Sequence, residues 1–184
     1  MAKVYAFLAN GSEEVECLAV VDVLRRAGID TELVSVNEGS VITGSHGIRI
    51  ICDSVLPDTD LSDADVLFLP GGMPGTTHLM GCELLTDALR RQCEAKKRVA
   101  AICAAPSVLG ALGLLQGRKA TCFPGFEDKL KGAEYTHTGV VTDGHVTTAR
   151  GLGYALDLGL ELVRLLCSGE EAEKLKRTIQ YDQF

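Results

Sequence analysis

Residues 99–107 read VAAICAAPS, and this stretch decides the fold. A run of small apolar residues ends at Cys103, and small residues, a proline and a second apolar run follow it. The pattern predicts a buried parallel strand that turns sharply into a helix. Cys103 then stands at the carboxyl end of the strand, where open α/β sheets bind their ligands.

Two interpretations of Cys103 stay open. The positive end of the following helix favours the thiolate over the thiol, which would make Cys103 a nucleophile. A free cysteine in apolar sequence is more commonly an inert, buried small hydrophobe. Its position as the first residue after the strand, rather than inside it, favours the reactive interpretation.

The rest of the chain alternates between apolar runs and amphipathic segments, which predicts a doubly wound α/β fold with a mostly parallel sheet. Ser12 is the predicted N-cap of the first helix, and Gly28 follows its end. Asp143-Gly144 predicts a two-residue hairpin loop. The main predicted strands are 4–8, 31–36, 66–69 and 99–102, and the main predicted helices are 13–27, 84–93, 156–166 and 169–179.

Composition and charge limit the class of protein. The 184 residues suit a single domain, 1–184, and 46% hydrophobic with 23% charged residues is typical of soluble globular proteins. A net charge of −7 disfavours nucleic-acid and anionic-membrane partners. No apolar run is long enough to span a bilayer, and residues 1–4 lead into a strand without a signal-peptide pattern. We therefore expect a cytoplasmic protein.

The cysteines and histidines indicate neither a disulfide framework nor a metal site. Seven cysteines are widely spaced and form no C-x-x-C motif, which excludes zinc-ribbon and thioredoxin-type sites. Free thiols in a reducing compartment fit this pattern best. The four histidines show no metal-ligand spacing, so no metal is expected.

Glu16 is the first candidate partner for Cys103. Helical spacing places it on the apolar face with Val20 and Val23, whereas Glu13 and Glu14 lie off that face. A carboxyl group there is desolvated, which raises its pKa and lets it hold a proton for a nearby thiolate. The alternative is that Glu16 only complements the helix dipole.

Backbone amides and one arginine complete the candidate site. Pro70-Gly71-Gly72 follows a predicted strand, and glycines there allow a ligand to approach the backbone closely. The amides of Gly72 and Ala104 could form an oxyanion hole, with Gly71 also in the substrate-binding segment. Arg150 could bind a carboxylate or phosphate, although a structural salt bridge is the simpler expectation.

Taken together, these motifs resemble the ThiJ/PfpI superfamily. The nearest branch is that of the Parkinsonism-associated protein deglycase and its bacterial ThiJ-type relatives. The motifs follow the family order and cover nearly the whole chain. They are Gly11-Ser12-Glu13-Glu14-Val15-Glu16, Leu69-Pro70-Gly71-Gly72, Ala101-Ile102-Cys103-Ala104-Ala105-Pro106 and Ala149-Arg150-Gly151-Leu152-Gly153.

The resemblance implies a flavodoxin-like α/β/α sandwich, similar to class I glutamine amidotransferases, that forms a homodimer. It implies that Cys103 is the nucleophile and an oxidation-sensitive thiol, with Glu16 as its protonated partner. It implies that the amides of Gly72 and Ala104 face the reacting oxygen. Activities of this branch include glyoxalase and deglycase chemistry on small dicarbonyls without a cofactor, redox sensing and stress-linked chaperone action.

Three positions qualify the resemblance. Ala104 stands where protease-like members have a histidine, which disfavours a peptidase or amidotransferase. Phe123 stands where the nearest branch has a histidine near the site, so a general base is missing at that position. His46 lies in a stretch that reaches the dimer interface in relatives, and it is a candidate to serve the neighbouring subunit's site.

Two functions from different classes therefore stay open. As an enzyme, Cys103 would attack the aldehyde of a small dicarbonyl such as methylglyoxal, and Glu16 would move the proton during isomerisation to a 2-hydroxy acid. As a redox sensor or stress chaperone, the same thiol would oxidise to sulfenate and sulfinate. Cys17, Cys52 and Cys122 are expected to be packed thiols.

Overall fold

The apolar and amphipathic segments form alternating strands and helices in the computed structural model, which describes residues 2–181. The helices are α1 (Glu14–Arg26), α2 (Gly75–Gly81), α3 (Glu83–Glu94), α4 (Pro106–Ala111), α5 (Ala155–Leu166) and α6 (Gly169–Thr178). The strands are β1 (Lys3–Leu8), β2 (Asp30–Ser35), β3 (Val41–Thr43), β4 (Arg49–Ile51), β5 (Ser54–Val55), β6 (Val66–Leu69), β7 (Arg98–Ile102), β8 (Lys119–Ala120), β9 (Glu134–Tyr135), β10 (Val140–Asp143) and β11 (Val146–Ala149).

Seven strands form the central sheet in the order β10-β11-β7-β6-β1-β2-β5. All neighbouring pairs are parallel except β10 and β11, which form the predicted hairpin at one edge. The chain winds outward in both directions from β1 and β6, so their carboxyl ends lie at the point where the strand order reverses. The expected flavodoxin-like, doubly wound fold is confirmed.

Alternate residues along the strands divide the core into two layers. Val4 and Ala6 of β1 pack with α1, α5 and α6, whereas Tyr5 and Phe7 pack with α2, α3 and α4. This two-sided burial explains why β1, β6 and β7 are continuous apolar runs in the sequence. None of the helices within residues 2–181 has the length and apolar character needed to cross a membrane.

Two local predictions were wrong, and one helix was missed. The side chain of Glu13, not Ser12, caps α1 by accepting a hydrogen bond from the amide of Glu16, while the Ser12 hydroxyl accepts one from the amide of Ala9. The loop of the edge hairpin is residues 144–145, because Asp143 still pairs with Val146. Helix α2 was not predicted, since its sequence, GTTHLMG, lacks an apolar period.

Candidate functional site

The start of α1, the loop after β6 and the turn after β7 meet at the carboxyl ends of β1, β6 and β7. The Glu13 amide donates a 2.8 Å hydrogen bond to the carbonyl oxygen of Gly71, which joins the start of α1 to the loop after β6. The carboxyl group of Glu16 contacts both the Gly71 amide and the Cys103 thiol. Residues distant in the sequence thus surround a single half-buried sulfur atom.

Cys103 occupies a sharp turn between β7 and α4. Its φ of +64° lies in the left-handed region, where a residue with a side chain is strained and needs support from its surroundings. That support comes from the backbone on both sides: the Cys103 amide donates to Ala149, and the Cys103 carbonyl accepts from the Phe123 amide at 2.8 Å. The turn therefore holds the thiol at the end of the sheet, as a strand-to-helix elbow requires.

Glu16 reaches the site from the buried face of α1, as its spacing predicted. The residue is 1% exposed. Its carboxyl group accepts a 3.0 Å hydrogen bond from the Gly71 amide and another from the Leu152 amide, and it contacts the Cys103 thiol. The Gly71 amide thus holds the Glu16 carboxyl group in place. Gly71 was expected to bind substrate instead.

Burial raises the pKa of Glu16 from its ordinary value of 4.5 to about 7. Hydrogen bonding to Cys103 opposes this shift, and the nearby charge of Glu13 adds to it. A carboxyl group with this pKa exchanges its proton near neutral pH, which suits a general acid or base.

The pKa of Cys103 is raised by burial first and then by the charge of the Glu16 carboxylate, while the amides of Gly72 and Ala104 lower it. The sequence predicted the opposite direction from the dipole of the following helix. Helix α4 has only six residues, and the Glu16 carboxylate faces the sulfur directly, so the carboxylate has the larger influence while it is ionised. When Glu16 holds a proton, this influence disappears, and its O–H can donate to a thiolate.

Two backbone amides point toward the sulfur. The N–H groups of Gly72 and Ala104 both donate toward Cys103. Gly72 has a φ of +87°, and a Cβ atom there would lie 2.3 Å from the amide nitrogen of Glu13. Only glycine therefore fits this turn, and its fixed geometry places an amide next to the thiol. Such preset donors can stabilise negative charge on sulfur or on an adjacent oxygen.

A second cluster, not predicted from the sequence, lies beside the start of α1. Glu14 is buried, and its carboxylate accepts hydrogen bonds from the amides of His46 and Ile48 and approaches the His46 ring at 3.2 Å. Side-chain atoms of Glu13, Glu14 and His46 lie within 4.8 Å of one another, so they are the described residues best placed to hold a metal ion. The Glu14 oxygens already accept hydrogen bonds from backbone amides of the β3–β4 hairpin. These hydrogen bonds explain the burial of this carboxylate without a cation.

Arg150 and Phe123 belong to neither this cluster nor the Cys103–Glu16 pair. Both line a cavity of about 280 Å³ together with the segment 151–154. The expected salt bridge of Arg150 is absent: within residues 2–181, its guanidinium has no carboxylate at salt-bridge distance. The Phe123 ring is half exposed. It stands at the position where the resemblance implies a histidine in related proteins.

The other predicted residues separate into two groups. Cys17, Cys52 and Cys122 are buried, and burial raises the pKa of each thiol, so they are packed thiols as expected. His46 contacts Glu14 rather than Cys103 of its own chain. Sequence reasoning missed the Leu152 amide as a partner of Glu16. The glycines on either side of Leu152, directly after β11, were the available signal.

Comparison with known proteins agrees with the motifs. The profile of the DJ-1/PfpI family matches residues 2–165. Protein DJ-1 homolog B of Arabidopsis thaliana is 38% identical over 92% of this chain, and the chain spans only 39% of that relative's length. Glutathione-independent glyoxalase DJR-1.2 of Caenorhabditis elegans is 31% identical over 91% of this chain and 90% of that protein. The structure of Toxoplasma gondii DJ-1, oxidized, is 32% identical, with a TM-score of 0.95 over 99% of this chain and 100% of that chain.

Proposed function

Since this chain belongs to the DJ-1/PfpI family, we propose that it is a cysteine-dependent enzyme that converts small 2-oxoaldehydes such as methylglyoxal to 2-hydroxy acids without a cofactor. The observation that carries the proposal is the contact between a thiol held at a strained turn and a buried carboxyl group whose pKa is raised to about 7. The name of the Caenorhabditis elegans relative supports the same reaction.

The reaction begins when the proton shared by the pair resides on Glu16. The Cys103 thiolate then adds to the aldehyde carbon and forms a hemithioacetal, whose oxygen accepts hydrogen bonds from the amides of Gly72 and Ala104. These amides already point toward the sulfur, so an oxygen on the carbon that is bonded to the sulfur lies within their reach.

Glu16 then moves the proton that isomerisation requires. Glu16 first gives its proton to the hemithioacetal oxygen, and the resulting carboxylate then removes the hydrogen of the former aldehyde carbon. It returns that proton to the neighbouring carbon while the hydroxyl proton passes to the neighbouring oxygen, which gives the thioester of a 2-hydroxy acid. Water hydrolyses this thioester and restores the thiol. One carbon is oxidised and its neighbour is reduced within the same molecule, so the net change is the addition of one water and no external redox partner is needed. The same nucleophile and acid–base group would support deglycase chemistry on hemithioacetal adducts.

The test is lactate formation from methylglyoxal by the reduced protein without glutathione, followed by nuclear magnetic resonance in deuterated water. We expect turnover by the unmodified protein, none by Cys103→Ala, and a loss of about a hundredfold or more in Glu16→Gln. Cys167→Ala is the matched control, because Cys167 is an exposed thiol directly after the last residue of α5. Deuterium on the second carbon of lactate would show that the proton exchanges with solvent through a base. An unchanged rate in Cys103→Ala would contradict the proposal.

The same geometry favours redox sensing, with or without chaperone action, as a second candidate. Peroxide would oxidise Cys103 to sulfenate and then sulfinate, and the two amides and a protonated Glu16 would donate hydrogen bonds to the new oxygens. The related Toxoplasma gondii structure is described as oxidized. Intact-protein mass spectrometry after peroxide treatment tests this function: sulfinate should accumulate in the unmodified protein and less in Glu16→Gln. A holdase activity that appears only after oxidation, without dicarbonyl turnover, would favour the sensor over the enzyme.

We also propose that the protein forms a homodimer through α1 and the β3–β4 hairpin. These elements adjoin, because the Glu14 carboxylate of α1 accepts hydrogen bonds from the amides of His46 and Ile48 in the hairpin. Together they expose large apolar side chains, of which Ile51 is 74% exposed. A second copy of this chain would cover them, and His46, which is exposed on the same surface, is the candidate to approach the partner's site. The apolar side chains of this surface are Val15, Leu18, Val41, Ile48 and Ile51.

A further inference from the structure

An apolar cavity is lined by residues whose backbone contacts Cys103 and Glu16, and the reaction of methylglyoxal does not use it. Phe123, Leu152 and Tyr154 line it and are 49%, 50% and 37% exposed, although large apolar side chains are usually buried. Its volume is about 280 Å³. Three such side chains around one hollow form a binding surface rather than scattered exposed residues.

The backbone ties this cavity directly to both reacting groups. The Phe123 amide donates a 2.8 Å hydrogen bond to the carbonyl oxygen of Cys103. The Leu152 amide donates to the carboxyl group of Glu16. The side chains of Phe123 and Leu152 therefore belong to the same residues whose amides contact Cys103 and Glu16. A substituent on a carbon bound at Cys103 would extend toward them.

The aromatic walls are held in place by glycines. A Cβ atom at Gly151 would lie 3.3 Å from the Phe123 ring, so the ring rests against that backbone. The Tyr154 ring covers Gly139 so closely that any side chain there would collide with it. The Tyr154 amide also donates a 2.8 Å hydrogen bond to the carbonyl oxygen of Gly151. The cavity is thus preformed, which reduces the entropy lost when an apolar group binds.

Arg150 gives the cavity a preference among apolar groups. Arg150 lines the same hollow, and its guanidinium has no carboxylate at salt-bridge distance within residues 2–181. A guanidinium attracts the face of an aromatic ring, whereas an alkyl group offers it no such interaction. Two aromatic walls add offset or edge-to-face contacts with a bound ring.

We propose that this cavity is the subsite for the substituent of the substrate, and that it selects 2-oxoaldehydes with an aromatic substituent over methylglyoxal. The inference rests on the proposed function and extends it to a substrate class. Phenylglyoxal has the required form: its aldehyde carbon would bond to Cys103, and its ring would occupy the cavity. Its product would be mandelate, formed with the same uptake of one water.

The first experiment measures kcat/KM for phenylglyoxal and methylglyoxal in parallel. We expect phenylglyoxal to be favoured by about tenfold or more, the range that a few apolar groups contribute in a hydrophobic pocket. Phe123→Ala should reduce this ratio about tenfold, mainly through KM for phenylglyoxal. Leu84→Ala is the matched control, since it removes an exposed apolar side chain from α3, and the ratio should not change. A ratio near one, or a ratio that Phe123→Ala leaves unchanged, would overturn the subsite.

A second experiment separates the subsite from the reaction. Titration of Cys103→Ala with mandelate and with lactate, followed by nuclear magnetic resonance, measures binding without turnover. Mandelate should bind about tenfold more tightly, and Phe123→Ala in the same background should remove the difference. If neither aldehyde is turned over but mandelate is still preferred, the proposed function is wrong and the subsite is supported. If methylglyoxal is turned over and mandelate binds no better than lactate, the subsite is wrong and the proposed function stands.

Discussion

The carboxyl group of Glu16 contacts the thiol of Cys103, and each group changes the acidity of the other. Burial raises the pKa of Glu16 to about 7, and the resulting carboxylate raises the pKa of Cys103. The pair therefore loses its first proton near pH 7 and its second well above that. Between these two steps, one proton is shared by an oxygen and a sulfur atom, so the pKa values that a titration reports belong to the pair.

Alkylation of Cys103 should report this shared proton. In the unmodified protein, we expect the rate of reaction with iodoacetamide to rise with a midpoint near pH 7, because the first ionisation of the pair produces some thiolate. In Glu16→Gln, no carboxyl proton is available to the sulfur, so the midpoint should move above about 8.5, the ordinary value of a thiol. Peptide mass spectrometry measures the rate at each cysteine, and Cys167 is the internal control. If the midpoint is lower in Glu16→Gln than in the unmodified protein, the Glu16 carboxylate of the unmodified protein is ionised beside a neutral Cys103 thiol.

The stability of the protein should depend on pH through Glu16. Its folded pKa of about 7 exceeds the ordinary 4.5, so the folded state binds more protons than the unfolded state between these values. The contribution of Glu16 to stability is then fully present below about pH 4.5 and is lost as the pH rises through 7. We expect Glu16→Gln to be more stable than the unmodified protein at pH 8 by up to about 3 kcal/mol, and this difference should vanish near pH 4. Urea unfolding at pH 4, 6 and 8 measures it, and the exposed Glu38→Gln should show no such trend.

The separation of the two reacting groups should depend on Gly71. A Cβ atom there would lie 2.6 Å from Cβ of Cys103 and 2.7 Å from Oε2 of Glu16, so Gly71→Ala must push the two groups apart. We expect kcat/KM for methylglyoxal to fall about a hundredfold, as displacements near 1 Å do in other active sites. Gly81→Ala at the end of α2 is the control, because nothing lies within 4 Å of its Cβ position. Equal activities in the two variants would show that the observed separation is not required.

The sequence predicted the framework of the site because the framework follows from local patterns. The apolar run before Cys103 and the glycines at 71 and 72 mark strand ends, and strand ends of a doubly wound sheet converge. Glu16 was identified because helical periodicity alone places it on the buried face. These predictions needed no knowledge of which strands are neighbours.

The features that were missed depend on contacts between distant segments. Glu14 was expected off the apolar face, yet the β3–β4 hairpin folds over it and buries it. The raised pKa of Cys103 depends on the direct approach of Glu16, which the dipole of a neighbouring helix does not reveal. The cavity at Phe123 combines residues from two loops that only the sheet order brings together.

Glu14 should act as a structural acceptor for the β3–β4 hairpin. Burial acts to raise the pKa of Glu14. Hydrogen bonds from its own amide and from the His46 amide act in the opposite direction, and the net shift of the pKa is downward. Its stabilising contribution is therefore present above the unfolded value of 4.5 and is lost as the pH falls through the lower folded value. Glu14→Ala should destabilise the protein by about 2 to 3 kcal/mol at pH 7, because it leaves the His46 and Ile48 amides without their acceptor. Faster hydrogen exchange at these two amides would confirm the mechanism, and Glu14→Gln, which keeps one oxygen, should restore part of their protection.

Dimer formation should depend on the apolar surface of α1 and the hairpin. We expect sedimentation velocity at micromolar concentration to give twice the chain mass of 19.6 kDa. Ile51→Glu should give the single-chain mass, since burying an unpaired carboxylate in an apolar interface is costly, whereas it is harmless on a free surface. Leu84→Glu places the same charge on an exposed leucine of α3, on the other face of the sheet, and should remain dimeric.

The same variants decide whether His46 serves the neighbouring subunit. If the partner's His46 assists the site, single-chain Ile51→Glu and dimeric His46→Ala should lose similar fractions of methylglyoxal turnover. If His46 only supports the hairpin through Glu14, His46→Ala should lower the stability and leave kcat/KM unchanged. A single-chain unmodified protein, or an Ile51→Glu variant that still dimerises, would exclude this surface as the interface and would leave His46 without a route to a second site.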